Sequence, residues 1–153
     1  MARQSVVGEK SLAFAKRVAK LYRFLFDKKK EHILSKQILR SGTSIGANIR
    51  EGLYAQSRKD FISKMNIALK EAGETEYWLE VLHSAEYLSE KEFISLKNDN
   101  DELIKLLTAT VKTTKENNIS WTEPIPNIYY LSSINYHLSP WFPPFSLPVP
   151  TGS

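Results

Sequence analysis

The chain of 153 residues contains no cysteine, which excludes a disulfide framework and a thiolate metal site. It has no stretch of 18 apolar residues, so we expect neither a transmembrane helix nor a membrane partner. The first 17 residues lack the apolar run of a signal peptide. Because a chain without cysteine is compatible with a reducing compartment, we expect a cytoplasmic protein.

Proline is absent from the first 117 residues. All seven prolines follow, at positions 124, 126, 140, 143, 144, 148 and 150. Because proline interrupts helices, this distribution is typical of a domain built only from helices. The length fits a single domain. We therefore predict a helical domain over residues 5–117 and a separate tail over residues 118–153, extended or disordered.

The tail has one charged residue, Glu123, and many aromatic ones. It is too aromatic for a typical linker and too rich in proline for a helix. Three interpretations remain open. The tail is an extended strap over an apolar face of the helical domain, a mobile segment that binds a partner, or sequence without an evolved role.

Apolar residues recur at helical spacing in four segments of the first 117 residues. The first runs from Val6 to Asp27, the second from about Ile33 to Gln56, and the third from about Arg58 to Tyr87. The fourth begins after Ser89, which can form a capping box with Glu92. Short connections favour antiparallel neighbours. The predicted fold class is all-α, an antiparallel up-down-up-down four-helix bundle.

The first and third helices each carry two apolar stripes. In the third, Phe61 and Met65 belong to one stripe, and Ile62 and Leu69 belong to the other. One stripe is enough to form the core of a bundle. The second stripe can face another subunit or the tail, so we expect a homo-oligomer.

The second helix carries Gly42 and Gly46 one turn apart. Glycine inside a helix costs about 0.5–1 kcal/mol relative to alanine. Small side chains allow a neighbouring helix to come close, which offsets this cost. We therefore predict close helix packing at these glycines; the alternative is that they merely loosen the helix. Ser57 is the predicted N-cap of the third helix, with Asp60 in its first turn.

Four polar residues lie beside the apolar stripes of the second and third helices: Arg40, Asn48, Glu71 and Glu74. A carboxylate near a core needs a partner, because an unpaired buried charge is expensive. We predict that these four residues form a structural polar network; the alternatives are simple surface exposure and a site for chemistry. The sequence leaves open whether they meet within one subunit or between two.

Between Arg40 and Leu79 the chain carries a long set of residues that resembles one known family. The matching residues are Arg40-Ser41, Ser44 to Ile49, Glu51-Gly52, Ala55, Ser57, Asp60-Phe61, Lys64, Ile67-Ala68, Glu71-Ala72, Glu74-Thr75 and Tyr77 to Leu79. This set is similar to that of the 23S rRNA-intervening sequence proteins, also called S23 ribosomal proteins. With weaker similarity the resemblance extends over residues 5–117, and it does not include the tail.

The resemblance implies an antiparallel four-helix bundle that often assembles as a homopentamer. In this family the reading frame typically lies inside an insertion in a bacterial 23S rRNA gene. The same fold recurs in accessory proteins of diversity-generating retroelements. The resemblance therefore suggests two candidate partners, structured RNA and a reverse transcriptase.

Charge is distributed very unevenly along the chain. Residues 1–70 contain 16 Lys and Arg and 5 Asp and Glu, a net charge of +11, whereas residues 71–117 contain 5 and 11, a net charge of −6. The basic surface of the first two helices and the start of the third is a candidate nucleic-acid interface. Its candidate residues are Lys16, Arg17, Lys20, Arg23, Lys28, Lys29, Lys30, Lys36, Arg58, Lys59 and Lys64. Two other interpretations are head-to-tail pairing of subunits and an ordinary solvated surface.

Sequence motifs typical of enzymes have little support in this chain. A di-iron bundle needs two Glu-x-x-His triplets, and the chain has one, at Glu80 and His83. His32 and His137 do not lie at metal-ligand spacing from it. We find no strand followed by a glycine-rich phosphate loop, and no serine of the second helix has a credible base beside it. We therefore expect no catalytic residues, no metal and no cofactor.

Two functions remain. The first is a non-enzymatic, oligomeric protein that associates with RNA or other nucleic acid through the basic surface of the first two helices. The alternative is a structural or protein-interaction oligomer without a nucleic-acid role, in which the uneven charge serves assembly. Salt-dependent RNA binding favours the first, and an oligomer that ignores RNA favours the second.

Overall fold

The computed structural model describes residues 5–116, which form four helices and no strand. The helices are α1 (Val6–Asp27), α2 (Leu34–Gly52), α3 (Arg58–Ser84) and α4 (Glu90–Glu116). Each packs against the next in the chain, and α4 also packs against α1. This is the predicted antiparallel up-down-up-down bundle. The predicted tail, residues 118–153, lies outside the described residues.

One hydrophobic core runs through the bundle. Its largest side chains are at most 1% exposed and come from all four helices, including Phe14, Ile45, Phe61 and Leu107. Burying a side chain of this size contributes about 1.5–3 kcal/mol. In α3 the stripe that begins at Phe61 is fully buried, as expected for the side that faces the bundle core. The second stripe, which includes Ile62, is only half-buried.

Two helices end earlier than predicted. α2 ends at Gly52 rather than near Gln56, because residues 53–57 form the turn that places Ser57 in the extended conformation of an N-cap. α3 ends at Ser84 because Glu86 adopts a left-handed conformation, with a φ of 61°. The Tyr87 N–H then donates 2.9 Å back to the Leu82 carbonyl, which closes the helix end.

The two predicted caps are confirmed. Ser57 Oγ accepts a hydrogen bond of 3.1 Å from the Asp60 N–H at the start of α3. At the start of α4 the Ser89 N–H donates to Glu92 Oε2 at 2.9 Å, and the Glu92 N–H donates to Ser89 Oγ at 3.4 Å. These reciprocal bonds satisfy donors that a helix start leaves unpaired.

The start of α2 is capped by a residue that the sequence did not single out. Ile33 stands at the cap position and has no capping side chain. Instead the buried carboxylate of Glu31 accepts the N–H groups of Ile33 at 2.9 Å, Leu34 at 2.9 Å and Ser35 at 2.6 Å. Burial alone raises the pKa of Glu31, but the hydrogen bonds from Leu34, Ser35 and Ile33 outweigh it and lower this pKa.

The predicted close packing occurs at the α1–α2 interface. A Cβ at Gly42 would lie 2.9 Å from both methyl carbons of Val18, and one at Gly46 would lie 3.4 Å from Ser11 Oγ. Val18 is fully buried and β-branched, so it has little freedom to move away. Gly73 of α3 differs, since nothing lies within 4 Å of its Cβ position.

We expect alanine to have opposite effects at Gly42 and Gly73. Gly73→Ala should raise the free energy of unfolding by about 0.5–1 kcal/mol through helix propensity. At Gly42 the same gain opposes overpacking against Val18, which costs about 1–3 kcal/mol, so stability should fall. Urea denaturation of both variants checks this prediction. A gain of stability in both would show that α1 and α2 are not in tight contact at Gly42.

Candidate nucleic-acid interface

Three consecutive lysines, Lys28 to Lys30, lie at one end of the bundle. Lys28, Lys29 and Lys30 directly follow α1, at the same end as the start of α2 and the α3–α4 turn. The Lys28 and Lys29 N–H groups donate to the Phe24 carbonyl at 2.9 and 3.2 Å. Lys30 is left-handed, with a φ of 55°. The backbone of the run is therefore fixed, and its three side chains are exposed.

Eight of the eleven predicted basic residues are exposed, and none of the eight forms an ion pair with another residue of the described range. They are Lys16, Lys20, Arg23, Lys28, Lys29, Lys30, Lys36 and Lys59. The first three share one face of α1, which leads toward the lysine run. We call Arg23, Lys28, Lys29, Lys30 and Lys36 the basic end. Lys59 lies at the other end of the bundle, where α3 begins.

Arg17 points into the seam between α1 and α4. It forms an ion pair with Asp99, and it donates to Ser95 Oγ at 2.9 Å and to the Ser95 carbonyl at 3.3 Å. The Arg17 and Asp99 side chains are only 20% and 14% exposed. Burial raises the pKa of Asp99, and the charge and hydrogen bond of Arg17 oppose this rise. Arg17 therefore links two helices.

The other two predicted residues also have partners within the bundle. Arg58 donates to the Thr114 carbonyl and, at 2.6 Å, to the Lys115 carbonyl, where α4 ends. A cation at this position interacts favourably with the helix dipole. Lys64 forms an ion pair with Glu51, and the hydrogen bond to this carboxylate raises the pKa of Lys64. The structure therefore separates Arg17, Arg58 and Lys64 from the eight exposed cations.

Three members of the predicted polar network meet within one subunit. Arg40 of α2 forms an ion pair with Glu74 of α3 and lies 4.0 Å from Glu71. Trp78, which the sequence did not add to the network, donates its indole N–H to Glu74 at 3.0 Å. The exposed pair Arg40–Glu74 contributes little stability, about 0–1 kcal/mol.

Asn48 does not join this group. Its amide nitrogen donates to the Ser44 carbonyl of its own helix at 2.9 Å. It lies eight residues after Arg40, which is about 12 Å along α2. Asn48 therefore lies on the same helix as Arg40, about two turns away from it.

His83, the histidine of the single Glu-x-x-His triplet, interacts with residues of the neighbouring helix α4. His83 Nε2 lies 2.9 Å from Glu90 Oε2, across the α3–α4 turn, and its ring stacks on Phe93. Within residues 5–116 no three His, Asp or Glu side chains are grouped so that they could hold a metal ion. No helix in the same range is long and apolar enough to cross a membrane.

Comparison with known proteins identifies the family. No curated protein matches the chain significantly. A crystal structure described as a protein with unknown function from the S23 ribosomal protein family of Bacteroides thetaiotaomicron VPI-5482 is 60% identical, with a TM-score of 0.69. The match covers 70% of this chain and 96% of that chain. The model of the protein family described as 23S rRNA-intervening sequence protein matches residues 3–109 of this chain. The chain therefore belongs to the family of 23S rRNA-intervening sequence proteins.

Proposed function

We propose that this protein is a non-enzymatic, oligomeric RNA-associated protein whose basic end binds the RNA backbone. The carrying observation is that all five cations of the basic end are exposed and form no ion pair with other described residues. Lysine and arginine side chains without a carboxylate partner are the ones that can replace the counterions of RNA phosphates.

The shape of the basic end favours phosphate contacts over recognition of sequence. Lys28, Lys29 and Lys30 carry flexible point charges at the end of the bundle. Among residues 5–116, no strand or helix extends past this end in a way that would let it read a groove. Contacts of this kind position a protein on nucleic acid but carry no sequence information. Binding should therefore weaken steeply as salt rises.

Changing Lys28, Lys29 and Lys30 together to glutamate tests this proposal. We expect RNA affinity to fall by about tenfold or more, and the slope of log affinity against log salt to become shallower by about 2–3, since each lost phosphate contact removes about 0.7–0.9. The measurement is fluorescence anisotropy with a structured RNA over a range of salt concentrations.

The matched control is the triple change of Lys105, Lys112 and Lys115 to glutamate, in the middle and at the far end of α4. These lysines are exposed on α4 and form no ion pair with other residues of the described bundle. The control changes the net charge by the same amount on the acidic half of the chain. An equal loss in both triple variants, or wild-type affinity after the change at Lys28 to Lys30, would contradict binding at the basic end.

Self-association is the second part of the proposal. A groove of about 420 Å³ lies between α1 and α2, away from the basic end, and its lining includes Leu12, Ala47 and Leu53. Leu12 is 47% exposed there. A second copy of the chain is the proposed occupant, because the acidic residues 71–117 of one copy complement the basic residues 1–70 of its neighbour. The family resemblance supports five subunits.

Size-exclusion chromatography with light scattering, with and without RNA at low and high salt, tests both parts. A pentamer-sized species that takes up RNA only at low salt supports the proposal. An oligomer that ignores RNA at every salt concentration favours the alternative, a structural or protein-interaction oligomer, for which the exposed Leu12 is the supporting observation. A monomer would contradict self-association. An accessory role in a retroelement, with a reverse transcriptase as partner, is a special case of this nucleic-acid-associated function.

A further inference from the structure

A cleft of about 570 Å³ opens at the same end of the bundle as the lysine run. It lies between the end of α1 and the α3–α4 turn, and its lining includes Phe24, Lys29, His83, Tyr87 and Glu92. We call it the end cleft. Its volume falls in the range of small-molecule sites, about 300–1,000 Å³.

The rings that line the end cleft are held in place by the fold. Phe24 and Tyr87 are half-buried and pack against the hydrophobic core. His83 stacks on Phe93, with ring centroids 4.4 Å apart and an interplanar angle of 14°, and pairs with Glu90. Aromatic side chains fixed in this way are suited to stack with a flat heteroaromatic group.

The charges around the end cleft are segregated. Lys29 Nζ lies over the Phe24 ring, 5.8 Å from its centre, so a cation covers one aromatic face of the lining. Another part of the lining is acidic and contains Glu86 and Glu92. Glu92 Oε2 accepts both the N–H and the O–H of Ser89, at 2.9 and 2.6 Å, which fixes this carboxylate.

This pattern selects for a ligand with two different parts. An anionic group is attracted to Lys29 and repelled by Glu86 and Glu92, so it stays at the lysine side of the end cleft. A neutral, flat group is not repelled and can enter toward the rings. A fixed carboxylate can also accept a hydrogen bond from an amino or imino group. A nucleotide unit of a nucleic-acid strand has both parts.

We infer that the end cleft holds one unpaired base of a bound RNA, stacked on Tyr87, while its neighbouring phosphates lie on Lys28, Lys29 and Lys30. The inference rests on the proposed function and adds a preference that backbone contacts alone do not give. In a duplex the bases are stacked and paired, so they cannot enter the cleft without being extruded. Single-stranded RNA should therefore bind more tightly than a duplex.

The test compares a 20-nucleotide single-stranded RNA with a 20-base-pair RNA duplex at the same salt concentration. Tyr87→Leu keeps an apolar side chain against the core and removes the stacking ring. We expect it to weaken binding of the single strand about tenfold and to leave binding of the duplex within about twofold. Tyr54→Leu is the matched control, because Tyr54 is 63% exposed at the other end of the bundle.

The outcomes separate this inference from the proposed function. Suppose Tyr87→Leu binds the single strand like the wild type, while the lysine-to-glutamate change at positions 28–30 abolishes binding. The end cleft is then not a base site, and the basic end still binds RNA. If the wild type binds neither RNA, the proposed function fails, and the inference fails with it.

A second measurement uses only the wild-type protein, so its result does not depend on whether a variant folds. A single-stranded RNA containing 4-thiouridine is irradiated with the wild-type protein, and the cross-linked peptide is identified by mass spectrometry. An adduct on Phe24, His83 or Tyr87 supports the inference. Adducts confined to other parts of the chain overturn it.

Discussion

Replacing Arg17 with methionine is expected to lower the free energy of unfolding by about 3–5 kcal/mol. The change keeps much of the side-chain volume but leaves Asp99, which is only 14% exposed, without the cation that opposes its desolvation. It also removes the hydrogen bonds to Ser95. Urea denaturation at neutral pH measures the loss.

The control for this prediction is Arg23→Met on the same helix. Arg23 is exposed, so its replacement should change stability by no more than about 0.5 kcal/mol. A double variant that combines Arg17→Met with Asp99→Leu should recover much of the loss, because a buried ion pair is often replaceable by packed apolar groups. A single variant as stable as Arg23→Met would show that the α1–α4 seam does not depend on the pair.

The free energy of unfolding lost in the Arg17→Met variant should become smaller as pH falls. Burial already raises the pKa of Asp99, and removing the Arg17 charge takes away the main opposing effect. A carboxyl group with a raised pKa in the folded state favours the folded state most when it is protonated, so its cost grows as pH rises through that pKa. The Arg17→Met variant should therefore regain part of its stability as pH falls.

Replacing Glu31 with glutamine is expected to cost about 2–3 kcal/mol at neutral pH. The charged carboxylate accepts three backbone N–H groups at the start of α2, and a hydrogen bond to a charged group contributes about 1.5–3 kcal/mol. A glutamine side chain keeps one acceptor oxygen and turns an NH₂ group toward the same donors. Helix α2 then loses most of its cap.

The effect of Glu31 should have the opposite pH dependence to that of Asp99. Because the pKa of Glu31 is lowered in the folded protein, its contribution is complete above the ordinary glutamate pKa, about 4.3, and is lost as pH falls through the folded value. Denaturation curves of the wild type and Glu31→Gln should therefore converge in acid. Glu80→Gln, at an exposed position of α3, is the control. A difference that persists unchanged in acid would rule out the charged cap.

Helix starts show what the sequence could and could not predict. Ser57 and Ser89 were identified because each stands directly before its helix, and Glu92 because it follows Ser89 at the spacing of a capping box. Glu31 was missed because it stands three residues before Leu34, in a run that looked like a charged connection. The available signal was an acidic residue close ahead of a helix whose cap position holds an apolar one, Ile33.

The candidate interface shows the same limit. Arg17 shares its helix with Lys16 and Lys20, and composition alone treats the three alike. Its position beside the buried residues Phe14 and Val18 indicates the edge of the core. Which acidic residue of α4 meets it depends on how the two helices are aligned, and the sequence of one chain does not encode this as a local pattern. Exposure of the lysine run, in contrast, follows directly from its place between two helices.

The short connections between the helices also bear on how the bundle forms. The links span residues 28–33, 53–57 and 85–89, so each helix meets its neighbour in the chain after closing a small loop. Contacts between nearby parts of a chain are typical of proteins that fold in microseconds to milliseconds. The packing of α1 on α4 joins the two most distant helices of the described chain, and Arg17 and Asp99 lie in that seam. We expect this seam to close late in folding, so that its contacts mainly slow unfolding.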